Sequence, residues 1–207
     1  KVEDFDFIVS FGGSSPTLSV NEKSGFTDLK SFLDNAKANN LRITYGHPGA
    51  GSTLQLAGQR LFQEAGINAQ QIPFESGAAA LTALLAGDIN AYIGPETTIL
   101  PYVGEGATPL AVASAKRSPF LPDVPTMKEA GYDVSLESLS ALHAPKGLPA
   151  EVKERLNAAL ANLEKNEAFK DALAKIGVAV NFQYGDEVVA YIADTRAVLK
   201  DLMGGGK

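Results

Sequence analysis

Apolar residues at Phe26, Leu29, Phe32, Leu33 and Ala36 recur at helical spacing, which predicts a first helix over 26–38 with Thr27 as its cap. An extended stretch over 42–45 then enters a glycine-rich turn, 46–51. The helix after it presents Leu54, Ala57, Leu61, Phe62 and Ala65 on one face and stops at Gly66. Residues 70–74 predict a strand, Ser76-Gly77 a turn, and 78–86 a short helix rich in alanine and leucine, ended by Gly87. A strand over 89–93, a turn at 94–96, a short helix over 97–103 and a strand over 110–113 follow.

This alternation of strand and helix predicts an α/β fold with a parallel sheet, whose ligands sit beyond the carboxyl ends of the strands. Three turns are therefore the candidates: 46–53, 74–78 and 94–97. After 114 a proline-rich passage, SPFLPDVPT, suggests a lobe boundary, with a short helix expected over 127–130 and extended chain over 134–144. The last third predicts helices over 149–163, 167–176 (ended by Gly177) and 186–202, a strand over 178–182, and a frayed glycine tail from 204. Before residue 26 only 7–9, and more weakly 17–20, read as strands. The closing helices thus lack sheet to pack on, and an incomplete chain is expected.

With 207 residues, 45% hydrophobic and 20% charged, the composition is that of a folded protein of one or two domains. No apolar run approaches the about 18 residues that span a bilayer, and the opening KVEDFDFIVSFGG has no signal-peptide pattern. The absence of cysteine removes disulfides and cysteine-bound zinc. A net charge of −6 with scattered basic residues argues against a nucleic-acid partner.

The segment ITYGHPGAGSTLQLAGQRL carries the most chemistry. Glycines between a strand and a helix let backbone amides approach a ligand, and a helix's first turn offers unpaired N–H groups that favour an anion. Gly49, Ala50, Gly51, Ser52 and Thr53 are thus candidate carboxylate binders, unless Ser52 only caps the helix and the glycines only make the turn. PFESGAAAL repeats the arrangement, adding Ser76, Gly77 and Ala78. The bland reading there is an ordinary strand-to-helix turn. Glu75 and Glu96 would repel an anion if they faced it, so they are expected to point to solvent or to meet an amine on the ligand. No lysine follows the glycines as in a P-loop, and the G-x-S-x-G elbow of a serine hydrolase is missing. His47 and His143 are the only histidines; each is expected to be a surface or hydrogen-bonding residue, with no metal and no cofactor implied.

Several segments together resemble the Bug-type (TctC) extracytoplasmic solute receptors of tripartite tricarboxylate transporters: DFDFIVS, ITYGHPGAGSTLQLAGQRLFQEAGI, IPFESGAAALTALLAGDINAYIG, LAVASAKRSPFLPDVPTMKEAGY and APKGLPAEVKERLNAAL. The resemblance implies a periplasmic-binding-protein-like fold of two lobes with mainly parallel sheets. It also implies that the chain lacks the family's N-terminal portion, so that lobe one is incomplete. Residues 1–14 would be part of lobe one and a hinge strand (7–11), 15–111 lobe two, and 112–207 a second hinge strand (110–114) and the return to lobe one. The ligand-facing positions fall on Gly49 to Thr53 and Ser76 to Ala78. Glu75, Gln55 and Leu139 depart from the family's frequent lysine, histidine and tryptophan.

The implied function is that of a periplasmic binding protein, monomeric at full length, which holds a small organic acid or amino-acid-like ligand between two lobes for a membrane permease. It catalyses nothing. The alternatives are a regulator's effector-sensing domain, which needs a DNA-binding module upstream, and a hydrolase acting through Ser52.

Overall fold

The computed structural model describes residues 1–204; the expected tail lies outside them except for Gly204. In chain order the elements are β1 (Phe5–Gly13), β2 (Pro16–Asn21), α1 (Leu29–Ala38), β3 (Thr44–Pro48), α2 (Thr53–Glu64), β4 (Gln70–Phe74), α3 (Gly77–Ala86), β5 (Ala91–Pro95), α4 (Glu96–Ile99) and β6 (Ala107–Val112). They continue with β7 (Ser140–Pro145), α5 (Ala150–Glu164), α6 (Glu167–Lys175), β8 (Ala179–Tyr184) and α7 (Asp186–Gly204). No helix among the described residues is long and apolar enough to cross a membrane. The chain divides into two compact units, one of Lys1–Ser14 with Leu139–Lys207 and one of Ser15–Ser138.

The central unit, Ser15–Ser138, carries a five-stranded sheet in the order β4-β3-β5-β2-β6. β3 runs parallel to β4 and β5, while β2 runs antiparallel to both β5 and β6. The sheet is therefore parallel but for β2. Successive strand residues point to opposite faces, and in β5 Tyr92 and Ile93 are both fully buried. Tyr92 lies in a core with Ala80, Leu81 and Leu84 of α3. Ile93 lies against Gly58 of α2, where an added Cβ would come within 2.6 Å of the Tyr45 ring. Helices thus cover both faces, and Gly58 is required so that α2 can approach the ring.

Helix starts follow local chemistry. Ser52 and Ser76 cap α2 and α3, each side chain accepting from the third residue of its helix. The cap of α1 is Asp28, one residue beyond the expected Thr27. Its carboxylate takes the Ser31 N–H at 2.8 Å, and a carboxylate suits a helix N-terminus better than a hydroxyl does.

Two boundaries differ from the sequence reading. The chain does not leave this unit at 112. The Val112 N–H donates to Pro125 O (3.0 Å), Met127 N–H to Val112 O (2.8 Å) and Leu136 N–H to Ala113 O (2.9 Å), so 112–138 is laced back along β6. The proline-rich passage is accordingly internal to the unit, and the chain passes between units at Ser14/Ser15 and Ser138/Leu139 rather than within β1 and β6. The helix expected over 127–130 is only a turn. Thr126 and Glu129 bond reciprocally in a capping box (2.8 and 3.0 Å), but Gly131, at φ +95°, ends the chain's turning there.

The second unit holds a three-stranded sheet, β7-β1-β8, antiparallel throughout, where mainly parallel strands were expected. Ile8, Val9 and Leu160 form its small core, with Phe11 edge-on to Phe182 at 5.8 Å. Asp6 receives the N–H groups of Gly147 (2.9 Å) and Leu148 (3.0 Å) and the Lys146 ammonium (2.9 Å). The ammonium first and the amides next hold its carboxyl down to about 2. Beside β1 and α7 an open pocket of about 810 Å³ is lined by apolar residues, among them Val2, Phe5, Phe7 and Ile192, and by the charged Glu3, Lys146, Arg196 and Lys200.

Candidate functional site

β4, β3 and β5 are neighbours and run the same way, so their carboxyl ends lie along one edge of the sheet. All three candidate turns leave from that edge. The register pairs Pro48 with Phe74, and the Gly49 N–H donates to Phe74 O at 3.2 Å, which ties the first two turns side by side. Gly49, Ala50, Gly51, Ser76 and Ala78 are exposed, while Ser52, Thr53 and Gly77 are half-buried.

At the start of α2, Gly49 and Gly51 have φ of +80° and +76° with open space where a Cβ would stand, so glycine serves backbone conformation there. The Ser52 hydroxyl is already engaged: it accepts the Gln55 N–H at 3.2 Å and donates to Gly49 O (2.9 Å) and Pro48 O (3.2 Å). The Gln55 side chain reaches back four residues to the Gly51 N–H and is itself bonded to Gln71, each at 2.5 Å. The N–H groups of Thr53 and Leu54 have no acceptor among the described residues. At the start of α3, Ser76 Oγ takes the Ala79 N–H at 3.1 Å and leaves those of Gly77 and Ala78 likewise open. The ready donors are therefore amides at two helix starts, and the serines position them.

Gly77 has a different role from the one its place in the turn suggests. A Cβ there would meet the Tyr92 hydroxyl at 3.0 Å and Thr98 Oγ1 at 3.3 Å, and at Gly94 it would meet the Tyr92 hydroxyl at 1.8 Å. Both glycines make room for Tyr92. Its hydroxyl is buried beside Thr98 in a geometry too poor for a satisfied hydrogen bond, and burial pushes the phenol up to about 12. Tyr92 was not among the residues singled out from the sequence, and Gln55 was noted only as a departure from the family's frequent histidine. The i, i+4 spacing of Gly51 and Gln55 was a further signal for the bond between them, and nothing local marked Tyr92.

Glu75 is exposed, as expected. Glu96 is not: it is fully buried. Burial pushes its carboxyl above the ordinary value of 4.5, against the opposing pull of Ser118 and the Ser15 amide.

His47, 1% exposed, bonds through Nδ1 to Gly49 O at 3.1 Å, which assigns the proton to that nitrogen. Burial, opposed by that bond, holds its pKa below 6.5, so the ring is neutral at pH 7. A group whose neutral form is favoured by folding contributes stability above 6.5 that is lost as pH falls below it. In a proton NMR titration the His47 ring, identified by its loss in His47→Gln, will titrate below 6.5; a midpoint at or above that value would contradict its burial. His143 lies exposed on β7 against Phe5, edge-on at 5.0 Å. No cluster of three metal-ligating side chains exists among the described residues.

The family model described as the tripartite tricarboxylate transporter family receptor, TctC, matches residues 1–204. The chain belongs to this family. A Cupriavidus necator relative, described as a UPF0065 protein in the gbd 5' region, is 29% identical over 206 residues, which are 97% of this chain and 63% of the relative. A ligand-free TctC solute-binding protein from Polaromonas superposes with a TM-score of 0.86 at 28% identity, covering 98% of this chain and 70% of that one. An R. palustris protein solved with adipate gives 0.83 at 25% identity, covering 97% and 69%. The chain thus spans less than two thirds of the length of the curated relative. TctC proteins are periplasmic solute-binding proteins, and this chain shares their α/β fold; the family is one of binders, not of enzymes. The residues of the TctC segments quoted above supply the turns that meet at the sheet edge.

Proposed function

We propose that this chain is the larger part of a periplasmic receptor that captures a small dicarboxylate and presents it to the permease of a tripartite tricarboxylate-type transporter. Gly49 to Thr53 and Ser76 to Ala78 would hold one carboxylate. The observation that carries this reading is the pair of serine-capped helices starting side by side at one sheet edge, with open first-turn amides and no lysine or arginine in either turn. Such amides hold an anion without a counter-cation to pay for in desolvation. Adipate in the R. palustris relative supports this ligand class.

The test is calorimetry on the whole protein, titrating adipate, malate and the uncharged diamide of adipate. Dicarboxylates are expected to bind and the diamide to bind at least about tenfold more weakly, since it lacks the charge that helix starts favour. Equal affinity for the diamide would remove the anion from the site. A serine hydrolase is disfavoured by the Ser52 hydroxyl, whose hydrogen is committed to backbone carbonyls.

A further inference from the structure

Glu96 opens α4 in the third turn at the sheet edge, and it is 0% exposed. Its backbone N–H donates to Ser15 O at 3.1 Å, and its Oε1 accepts the Ser15 N–H at 3.3 Å. Glu96 therefore grips both polar groups of Ser15, the first residue of the central unit after the chain crosses from the other. Its Oε2 is buried, and among the described residues it has no hydrogen bond of good geometry, the Ser118 hydroxyl nearby being poorly placed for one. An ionised carboxylate in that position would be a buried charge with half of its acceptors unmet, which is strongly unfavourable. Among the described residues, the groups that act on it include the Ser15 amide and the Ser118 hydroxyl, and it acts in turn on a second acid, Glu137, which is half-buried one residue before the other crossing at Ser138/Leu139. None is a cation. Two acids close together cannot both ionise cheaply.

We propose that Glu96 is a proton-holding positioning residue: a buried carboxyl that keeps its proton to higher pH than a surface glutamate does, fixes the third turn to the head of β2 and, while protonated, keeps a negative charge away from the neighbouring anion-binding helix start. The second half of this rests on the carboxylate reading. Thr98, two residues further along the same turn, stands against Gly77 at the start of α3. A charge gained at Glu96 would act on an anion held there. Aspartate or glutamate in this role is familiar where an apolar surrounding keeps the acid protonated.

The direction of the pH effect follows. The folded state binds the Glu96 proton more tightly than the unfolded chain, whose carboxyl has the ordinary value of 4.5. The stability so gained is complete below 4.5 and is lost as pH rises through the raised folded value. His47 contributes the opposite slope, so the informative quantity is the difference between the unmodified chain and Glu96→Gln, an isosteric side chain that cannot ionise.

Carbon-13 NMR of the carboxyl carbons, with Glu96 assigned through its own backbone, will show that carbon still protonated at pH values where surface glutamates have ionised. Glu137→Gln will draw its titration downward. The melting temperature of Glu96→Gln, relative to the unmodified chain, will rise by about 3 °C or more between about pH 5 and about pH 8. A Glu96 carbon that titrates at or below 4.5, or a melting difference constant across pH, would overturn the proposal. A parallel titration of adipate into the whole protein separates the two halves. Affinity that declines with pH in the unmodified protein, but not in Glu96→Gln, supports the coupling to ligand. A protonated Glu96 with pH-independent adipate affinity overturns that coupling alone and leaves the proton in place.

Discussion

Ala78→Asp will abolish most carboxylate binding while leaving the fold as stable as before. Ala78 is the second residue of α3 and is exposed, so the new side chain meets no packed neighbour. An aspartate in the first turn of a helix interacts favourably with its partial positive charge, contributing about 0.3–1 kcal/mol. The same charge beside a bound carboxylate is repulsive: two unit charges about 4 Å apart cost about 4 kcal/mol at the effective dielectric of a protein surface. Allowing for solvent at an exposed position, a loss of about 2 kcal/mol, or roughly 30-fold in affinity, is expected. Ala78→Asn, equal in size but uncharged, should lose far less. Calorimetry with adipate on the whole protein reads the affinity, and thermal unfolding reads the fold. If Ala78→Asp binds adipate as the unmodified protein does, the start of α3 is not the anion site. This substitution is a cleaner probe than a bulky residue at Gly77, whose Cβ would strike Tyr92 and Thr98 and so confuse binding with core disruption.

Gly12→Ala will destabilise the three-stranded unit by about 4 kcal/mol or more, among the largest effects of a single methyl group. Gly12 lies where the register of β1 slips against both β7 and β8, and its φ is +117°. A Cβ would stand 1.9 Å from Ala179 O and 2.9 Å from Asn181 N. Those are backbone atoms of the neighbouring strand, so relief requires β8 to move and its ladder to open. Backbone strain alone accounts for about 1–3 kcal/mol, and the lost pairing adds the rest. Gly147→Ala is the control, since Gly147 has φ +96° in the same unit with nothing within 4 Å of the added carbon. Urea unfolding should separate the two variants clearly. Equal losses would mean that β8 yields to the methyl group at little cost.

Much of the local structure was legible from the sequence. Ser52 caps a helix as its place before apolar periodicity allowed, Ser76, read as part of a turn, caps the next, and Gly66, Gly87 and Gly177, all at positive φ, end helices where expected. These features depend on interactions within a few residues, which sequence spacing reports directly. The alternation of strand and helix likewise implied that β3, β4 and β5 run parallel and that their turns share an edge.

The remainder depended on partners distant in the chain. The reversed direction of β2 and the antiparallel β7-β1-β8 sheet depend on which strands pair, and one strand's own pattern does not encode its neighbour. The lacing of 112–138 onto β6 consists of backbone bonds that any sequence could make, so a run of prolines looked like a boundary and was not one. Gly77 looked like space for a ligand, but it is space for a tyrosine fifteen residues later in the chain, brought over it by the packing of α3 on β5. Glu96, expected to point to solvent or to meet an amine on the ligand because it would repel an anion, is instead fully buried, with the Ser15 amide and the Ser118 hydroxyl acting on its carboxyl. Spacing determined the helix starts that form the proposed site. Only the packing of the central unit decided which of its glycines and acids are free to meet a ligand, because burial is a property of neighbours and not of the residue itself.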